Sequence, residues 1–146
     1  MDTPILTFDE DYKFLSNFYP SFLIYEKLSY KTVEHAFQAA KSLDPKIRLE
    51  ISRALEPGYA KRLGRALKLR PDWEQVKDSI MQDLLMKKFS RDELKAKLLE
   101  TGDVLLEEGN TWHDNYWGKC HCGKCDETLA KNMLGQLLMV VREMIK

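Results

Sequence analysis

The last segment of the chain constrains its fold more than any other. Between Glu127 and Ile145, one helical row is formed by Leu129, Met133, Leu137, Val140 and Met144, and the next by Leu134, Leu138, Val141 and Ile145. Residues three and four apart share a helix face, so two adjacent apolar rows make a stripe too wide for a surface helix. The spacing predicts a helix over 127–145 that is buried in a core. Upstream punctuation sets the remaining elements. Short β-branched and aromatic runs at 5–8, 22–25 and 28–30, the last two separated by Glu26 and Lys27, predict a hairpin or small antiparallel sheet.

Thr32 reads as the N-cap of a helix reaching Leu43, with Val33, Phe37 and Ala40 on its buried stripe. Pro45 opens a helix over 46–55, and Pro57-Gly58 breaks the chain before another over 59–69. Pro71 starts a longer helix with Trp73, Val76, Ile80 and Leu84 on one face; a further helix covers 91–99, then a stop at 101–103 and a short strand at 104–106. With no repeat or Gly/Ser-rich linker, the reading is one helix-rich α+β domain over residues 1–146 with a small antiparallel sheet.

Charge and cysteine usage exclude several classes of function. The chain has 146 residues, and its 23 Lys and Arg balance 23 Asp and Glu, so an anion site must be local rather than a property of the whole surface. No apolar run approaches the ~18 residues of a spanning helix, and the N-terminal sequence lacks a targeting pattern; no membrane association is expected. All three cysteines fall within 120–125, an odd number in one turn, which is a poor disulfide framework and suits a reducing, cytoplasmic setting.

The segment 109–118, GNTWHDNYWG, looks least like core. Its aromatic rings and polar groups between glycines suit a flat, polar ligand. The irregular stretch 107–126 around it is longer than most connections in a domain, and such stretches are commonly functional. Asp114 within it reads either as a reacting carboxylate or as an Asx-turn residue. Glu34 sits in the first turn after Thr32, where a carboxylate complements the helix dipole or points into a cleft as a base; His35 beside it is catalytic or simply hydrogen-bonded. Lys61, Arg65 and Lys68 share one helix face, with Arg62 and Arg70 beside them, and form either a phosphate cradle or a solvated face. Gly64 costs that helix about 1 kcal/mol relative to Ala, which points to close packing or ligand approach. The run Cys120-His121-Cys122-Gly123-Lys124-Cys125 invites a zinc reading completed by His113 or His121. It is a single compact knuckle, however, where structural zinc sites usually join two separated ligand pairs, and no metal is assigned to it.

With these residues in view, the chain resembles the NADAR family of YbiA-like domains. The matching blocks run almost end to end: FLSNFYPS at 14–21, VEHAFQAAK at 33–41, AKRLGR at 60–65, RPDW at 70–73, KF at 88–89, LLETGD at 98–103, WG at 117–118 and NMLGQLLMVVRE at 132–143. The resemblance implies an N-glycosidase that hydrolyses a ribose C1–N bond, in a phosphoribosyl-amine intermediate of riboflavin biosynthesis or in ADP-ribose attached to guanine in nucleic acid. It carries catalytic roles to Glu34 and Asp114, and substrate binding to Asn17, Phe18, His35, Gln38, Lys41, Lys61, Arg65, Trp117 and Asn132. Trp117, with Tyr116 or Trp112, is expected to pack against base or ribose while Lys41, Lys61 and Arg65 hold phosphate oxygens. The expected partner is therefore a small nucleotide or ADP-ribosylated guanine, with no cofactor, metal or obligate protein partner. The CHCGKC insert departs from many relatives. Alternative readings are a module that binds ADP-ribose or an NAD derivative without cleaving it, and a small zinc-stabilised interaction domain.

Overall fold

Thr32 starts the element around which half of the molecule is organised. In the computed structural model, which describes residues 3–146, its backbone is extended and its hydroxyl accepts the His35 amide proton, so helix α1 runs Val33–Ala40 with one of its four free N–H groups satisfied. All eight residues of α1 are buried. Such a helix must be covered by neighbours on several sides, and it packs against α2 (Pro45–Ser52), α3 (Pro57–Arg65) and α4 (Trp73–Lys88).

The described residues fall into two compact units. The first is the continuous stretch Asn17–Lys88. Here β1 (Leu23–Tyr25) pairs antiparallel with β2 (Leu28–Tyr30), Leu23 facing Tyr30. Glu26 and Lys27 both take positive φ, 47° and 75°, which matches the primed two-residue turns that fit strand twist. Val33, Ala36, Phe37, Ala40, Ile51, Ala60, Trp73, Met81, Leu84 and Leu85 are buried, and the rings of Phe37 and Trp73 lie 5.0 Å apart. Pro57 and Gly58 open α3 rather than preceding it, as the first helical position has no use for the N–H that proline lacks. On α4 the buried row is Trp73, Met81, Leu84, Leu85 and Lys88, with Val76 and Ile80 only half-buried.

The second unit joins the chain up to Ser16 with Phe89–Lys146. It contains a 3-10 segment Glu10–Leu15, α5 (Asp92–Glu100), a two-residue parallel pair β3 (Gly109–Asn110) and β4 (Lys119–Cys120), and α6 (Met133–Met144). Two sequence expectations are corrected here. The stretch 104–106 forms no strand, only a parallel bridge between Leu106 and Ile5. The final helix begins at Met133, not at 127: Asn132 takes a left-handed φ of 49°, which ends helical geometry there, and Glu127–Leu129 is a separate 3-10 turn capped by Asp126. Accordingly Leu129 is 72% exposed and Val140 44%, while Leu134, Leu137, Leu138 and Val141 carry the core stripe. Arg142 is also buried, its guanidinium donating to Thr101 Oγ1 and the Val104 carbonyl, both at 2.9 Å.

The molecule is thus helix-rich α+β with a small antiparallel sheet. Among the described residues, no helix is long and apolar enough to cross a membrane.

Candidate active site

Helix α1 presents Glu34 and Gln38 one turn apart, and the two side chains meet. Gln38 Nε2 donates to Glu34 Oε2 at 2.6 Å, a short bond of the kind that a charged acceptor produces. Both residues are buried. Burying a carboxylate is costly unless hydrogen bonds and opposite charge compensate it. The opposing charge comes from Lys41, whose ammonium is held below its ordinary pKa by burial, with Glu34 pulling it upward and Arg65 and Lys61 pushing it further down. Glu34, Lys41, Lys61 and Arg65 therefore act on one electrostatic site. Lys61 is half-buried and Arg65 exposed, so the cluster reaches from a buried carboxylate to cations in contact with water.

Gly64 owes its place in α3 to this site. A Cβ at that position would lie 1.8 Å from Gln38 Oε1 and 2.7 Å from its Cδ. The glycine lets α3 close over the Gln38 amide, which is the close packing its presence in a helix suggested. Gln38 Oε1 is buried without a hydrogen-bond partner among the described residues, and so is Asn17 Oδ1. Asn17 is fixed at the start of α1, where its carbonyl accepts the Glu34 amide proton at 3.1 Å, and its Nδ2 lies 3.6 Å from Met81 Sδ. Phe18 beside it is 41% exposed. The RPDW block anchors the other end of the helix: the Arg70 amide donates to the Lys41 carbonyl at 2.8 Å, and Arg70 pairs with Asp72 at 2.7 Å.

His35 takes the hydrogen-bonded role of the two that the sequence left open, rather than the substrate contact that the family resemblance implies. It is fully buried, the Thr32 hydroxyl meets its Nδ1 at 2.7 Å, and its Nε2 lies 2.9 Å from the Ala54 carbonyl. A carbonyl only accepts, so Nε2 carries the proton and Nδ1 receives the Thr32 proton; neither nitrogen is left for a ligand. Burial lowers its pKa, against the smaller raising effect of the Ala54 bond, so the neutral ring suits the fold.

The aromatic loop belongs to the second unit and is held by side chain to backbone hydrogen bonds. Buried Asn110, which sequence reasoning passed over, is its hub: Oδ1 accepts the amides of Trp112 and Asp114, both at 3.2 Å, and Nδ2 donates to the Asp114 carbonyl at 2.9 Å. Asp114 Oδ1 in turn accepts the amides of Tyr116 at 3.1 Å and Trp117 at 2.9 Å. That is the Asx-turn geometry, and it makes Asp114 the residue that aims Trp117. The indole packs edge-on against Tyr116, ring centroids 4.9 Å apart. Gly118 follows because a Cβ there would lie 2.1 Å from the Glu108 carbonyl oxygen. The carbonyls of Tyr116 and Trp117 accept the amides of Met133 and Leu134, both at 2.9 Å, satisfying two donors at the start of α6. Asn132 is likewise a structural pin, with Oδ1 accepting from the Glu108 amide and Nδ2 donating to the Leu106 carbonyl.

Of the expected residues, then, Glu34, Gln38, Lys41, Lys61 and Arg65 come together within one unit, and Asp114 and Trp117 within the other. His35 and Asn132 have their polar atoms used by the fold.

Comparison with known proteins adds three findings. The model of the NADAR domain family matches residues 6–146. The N-glycosidase YbiA of Escherichia coli (strain K12) is 42% identical over 139 residues, covering 93% of this chain and 83% of its own length, and an N-glycosidase of Nostoc punctiforme is 40% identical over 143 residues, covering 94% and 88%. The NMR structure of E. coli YbiA superposes with a TM-score of 0.83 at 40% sequence identity, covering 99% of this chain and 86% of that one.

Proposed function

Because the chain belongs to the NADAR family, we propose that it is a hydrolase acting on N-glycosyl compounds, cleaving the bond between ribose C1 and a base or amine nitrogen of a phosphorylated ribosyl substrate. The observation that carries this reading is the buried Glu34 carboxylate, held at 2.6 Å by the Gln38 amide and acting on Lys41, whose pKa burial lowers and which Arg65 and Lys61 also influence. An anion set among cations is the equipment for a substrate that is negative at its phosphate and becomes positive at C1 as the bond breaks.

Departure of the nitrogen leaves C1 with oxocarbenium character, because the ring oxygen donates electrons into the emptying orbital. A fixed carboxylate stabilises that charge without reorganising, whereas water would have to reorient. The electron pair of the C1–N bond leaves with the nitrogen. A water oxygen adds to C1; Glu34 takes one of its protons, and that proton ends on the leaving nitrogen, so the products are a free ribose hydroxyl and an N–H. Lys41, Lys61 and Arg65 bind the phosphate oxygens of that substrate.

Two substrates share this chemistry, ADP-ribose linked to guanine in nucleic acid and a phosphoribosyl-amine of riboflavin biosynthesis. A side-by-side assay separates them. ADP-ribosylated guanine in DNA, a phosphoribosylated aminopyrimidine, NAD and ADP-ribosylated protein are incubated with the enzyme and the products resolved by mass. Release of an unmodified base or amine together with free ADP-ribose or ribose 5-phosphate is the expected result. Tight binding of ADP-ribose with no product from any substrate would instead establish a binding module.

A further inference from the structure

The loop that carries Trp117 also brings four metal-ligating side chains to one point. His113, Cys120, Cys122 and Cys125 each offer one ligand atom, and all four atoms lie within 4.8 Å of one another. We propose that these residues form a structural zinc site of the Cys3His type, built on the CHCGKC insert and closed by His113.

Four of the six distances between these atoms are close to those of a coordination tetrahedron, and the two from Cys120 Sγ to the other sulfurs are within 4.8 Å. With Zn–S of about 2.3 Å and Zn–N of about 2.0–2.1 Å, tetrahedral geometry separates two sulfurs by about 3.8 Å and sulfur from nitrogen by about 3.5 Å. In the structure Cys122 and Cys125 Sγ are 3.7 Å apart, and His113 Nδ1 lies 3.3 Å from Cys125 Sγ, 3.6 Å from Cys122 Sγ and 3.8 Å from Cys120 Sγ. A disulfide requires about 2.05 Å between sulfurs, and all three cysteines are free.

The backbone is shaped for the same end. Cys122-Gly123-Lys124-Cys125 has the C-x2-C spacing of a zinc knuckle, with Gly123 at φ 87° making the turn and the Lys124 amide donating to Cys122 Sγ at 3.3 Å. An N–H aimed at sulfur favours the thiolate that a metal binds. On the opposite side His113 takes a φ of 70°, a conformation uncommon for a residue with a side chain, and in it the imidazole Nδ1 faces the three sulfurs. Sequence spacing left the fourth ligand open between His113 and His121. His121 is committed elsewhere, its Nε2 3.1 Å from Glu107 and its Nδ1 3.5 Å from Glu127.

Four protein ligands leave no open position, so the metal is structural. Binding releases the thiol protons and involves no redox step: zinc and three thiolates carry a net charge of about −1 with a neutral imidazole. The ion ties the Trp112–Asp114 turn to β4 and to the knuckle, and so stiffens the segment that aims Trp117. Loops held only by hydrogen bonds to solvent-exposed backbone lie at the low end of local stability, and a metal staple moves them upward.

The full chain, purified under reducing conditions without chelator, is assayed for metal content, and the chelator-treated protein is then titrated with zinc and with cobalt(II). One zinc per chain is expected, together with the intense visible ligand-field bands of tetrahedral thiolate-bound cobalt. Cys122→Ser and Cys125→Ser should each lower the zinc content, and His113→Ala should weaken retention, while His121→Ala keeps one zinc per chain. No binding of either metal by the reduced wild-type chain, a weak octahedral cobalt spectrum, or zinc lost in His121→Ala and kept in His113→Ala would overturn the proposal. Because the cobalt spectrum is read on the wild-type chain, the test survives misfolding of any variant.

Discussion

The α1–α3 cluster and the 109–125 loop solve the same problem by different means. On α1, Glu34 is placed by a helix whose eight residues are all buried, so side-chain packing fixes its position. In the loop, regular structure amounts to the two-residue strands β3 and β4, and polar side chains do the placing: Asn110 organises one turn and Asp114 the next. The lesson concerns what a carboxylate does in each setting. Glu34 accepts a hydrogen bond from the Gln38 side chain beside a charged cluster, whereas Asp114 spends Oδ1 on two backbone amides and shapes a loop.

Packing errors should do more harm than lost hydrogen bonds, and Gly64→Ala tests that first. The added methyl meets the Gln38 amide at 1.8 Å, so either α3 retreats or the amide turns away from Glu34. We expect a loss of about 1–3 kcal/mol in denaturant unfolding and a fall in turnover of at least about tenfold. Unchanged stability and turnover would show that α3 is loosely packed and that the comparison is misdrawn.

Asp114 can be split into geometry and charge. Asp114→Asn keeps an oxygen able to accept the Tyr116 and Trp117 amides, while Asp114→Ala removes it. Two such bonds are worth about 1–3 kcal/mol together, seen as faster amide exchange across 114–118 in the alanine variant only. A kcat that collapses in the asparagine variant despite an intact loop would give Asp114 a charge in the reaction, and would sharpen the comparison into one between two reacting carboxylates. A milder effect is expected at half-buried Lys61→Met: KM rises about tenfold with kcat nearly unchanged, because a phosphate contact serves ground and transition states alike.

Lys88, buried at the end of α4 with its ammonium 5.7 Å from the Tyr19 ring centroid, gives the smallest effect. Burial pulls its pKa from 10.5 down to about 7. Between those values the unfolded chain holds a proton that the folded chain has released, so raising pH through the window favours folding and lowering it toward 7 removes that stability. The slope is at most about 1.4 kcal/mol per pH unit and less near pH 7. Lys88→Met should flatten the difference between unfolding curves at pH 7 and pH 8; an identical pH response in both proteins would show that Lys88 stays charged in the fold.

How much the sequence revealed follows the same division. Thr32 and the Glu26-Lys27 turn act through neighbours a few positions away and were legible, whereas of the wide stripe read on the last helix only Leu134, Leu137, Leu138 and Val141 are buried, with Leu129, Val140 and Met144 exposed. The start of α6 was not legible, because Asn132 leaves helical geometry while bonding to Leu106 and Glu108, more than twenty positions upstream. For His35 the sequence left a catalytic and a hydrogen-bonded role open, and the carbonyl partner at Ala54 that decides for the second is remote in sequence. Gly64 announced close packing without naming Gln38 as the occupant, and the cysteine run offered metal-ligating side chains without assigning a metal or choosing between two histidines. The approach of Glu34 to Gln38 is a one-turn contact on a helix and could be read; the cations around Lys41 required α3 to be placed.

The central claim is that the charge on Glu34 carries the chemistry. Its most direct test is the single-turnover cleavage rate of Glu34→Gln on the substrate selected by the product assay, with binding affinity measured alongside. The account predicts a rate about 10²–10⁴-fold below wild type with affinity and thermal stability retained, since the amide keeps the size and loses the charge. A variant that cleaves at the wild-type rate would contradict it.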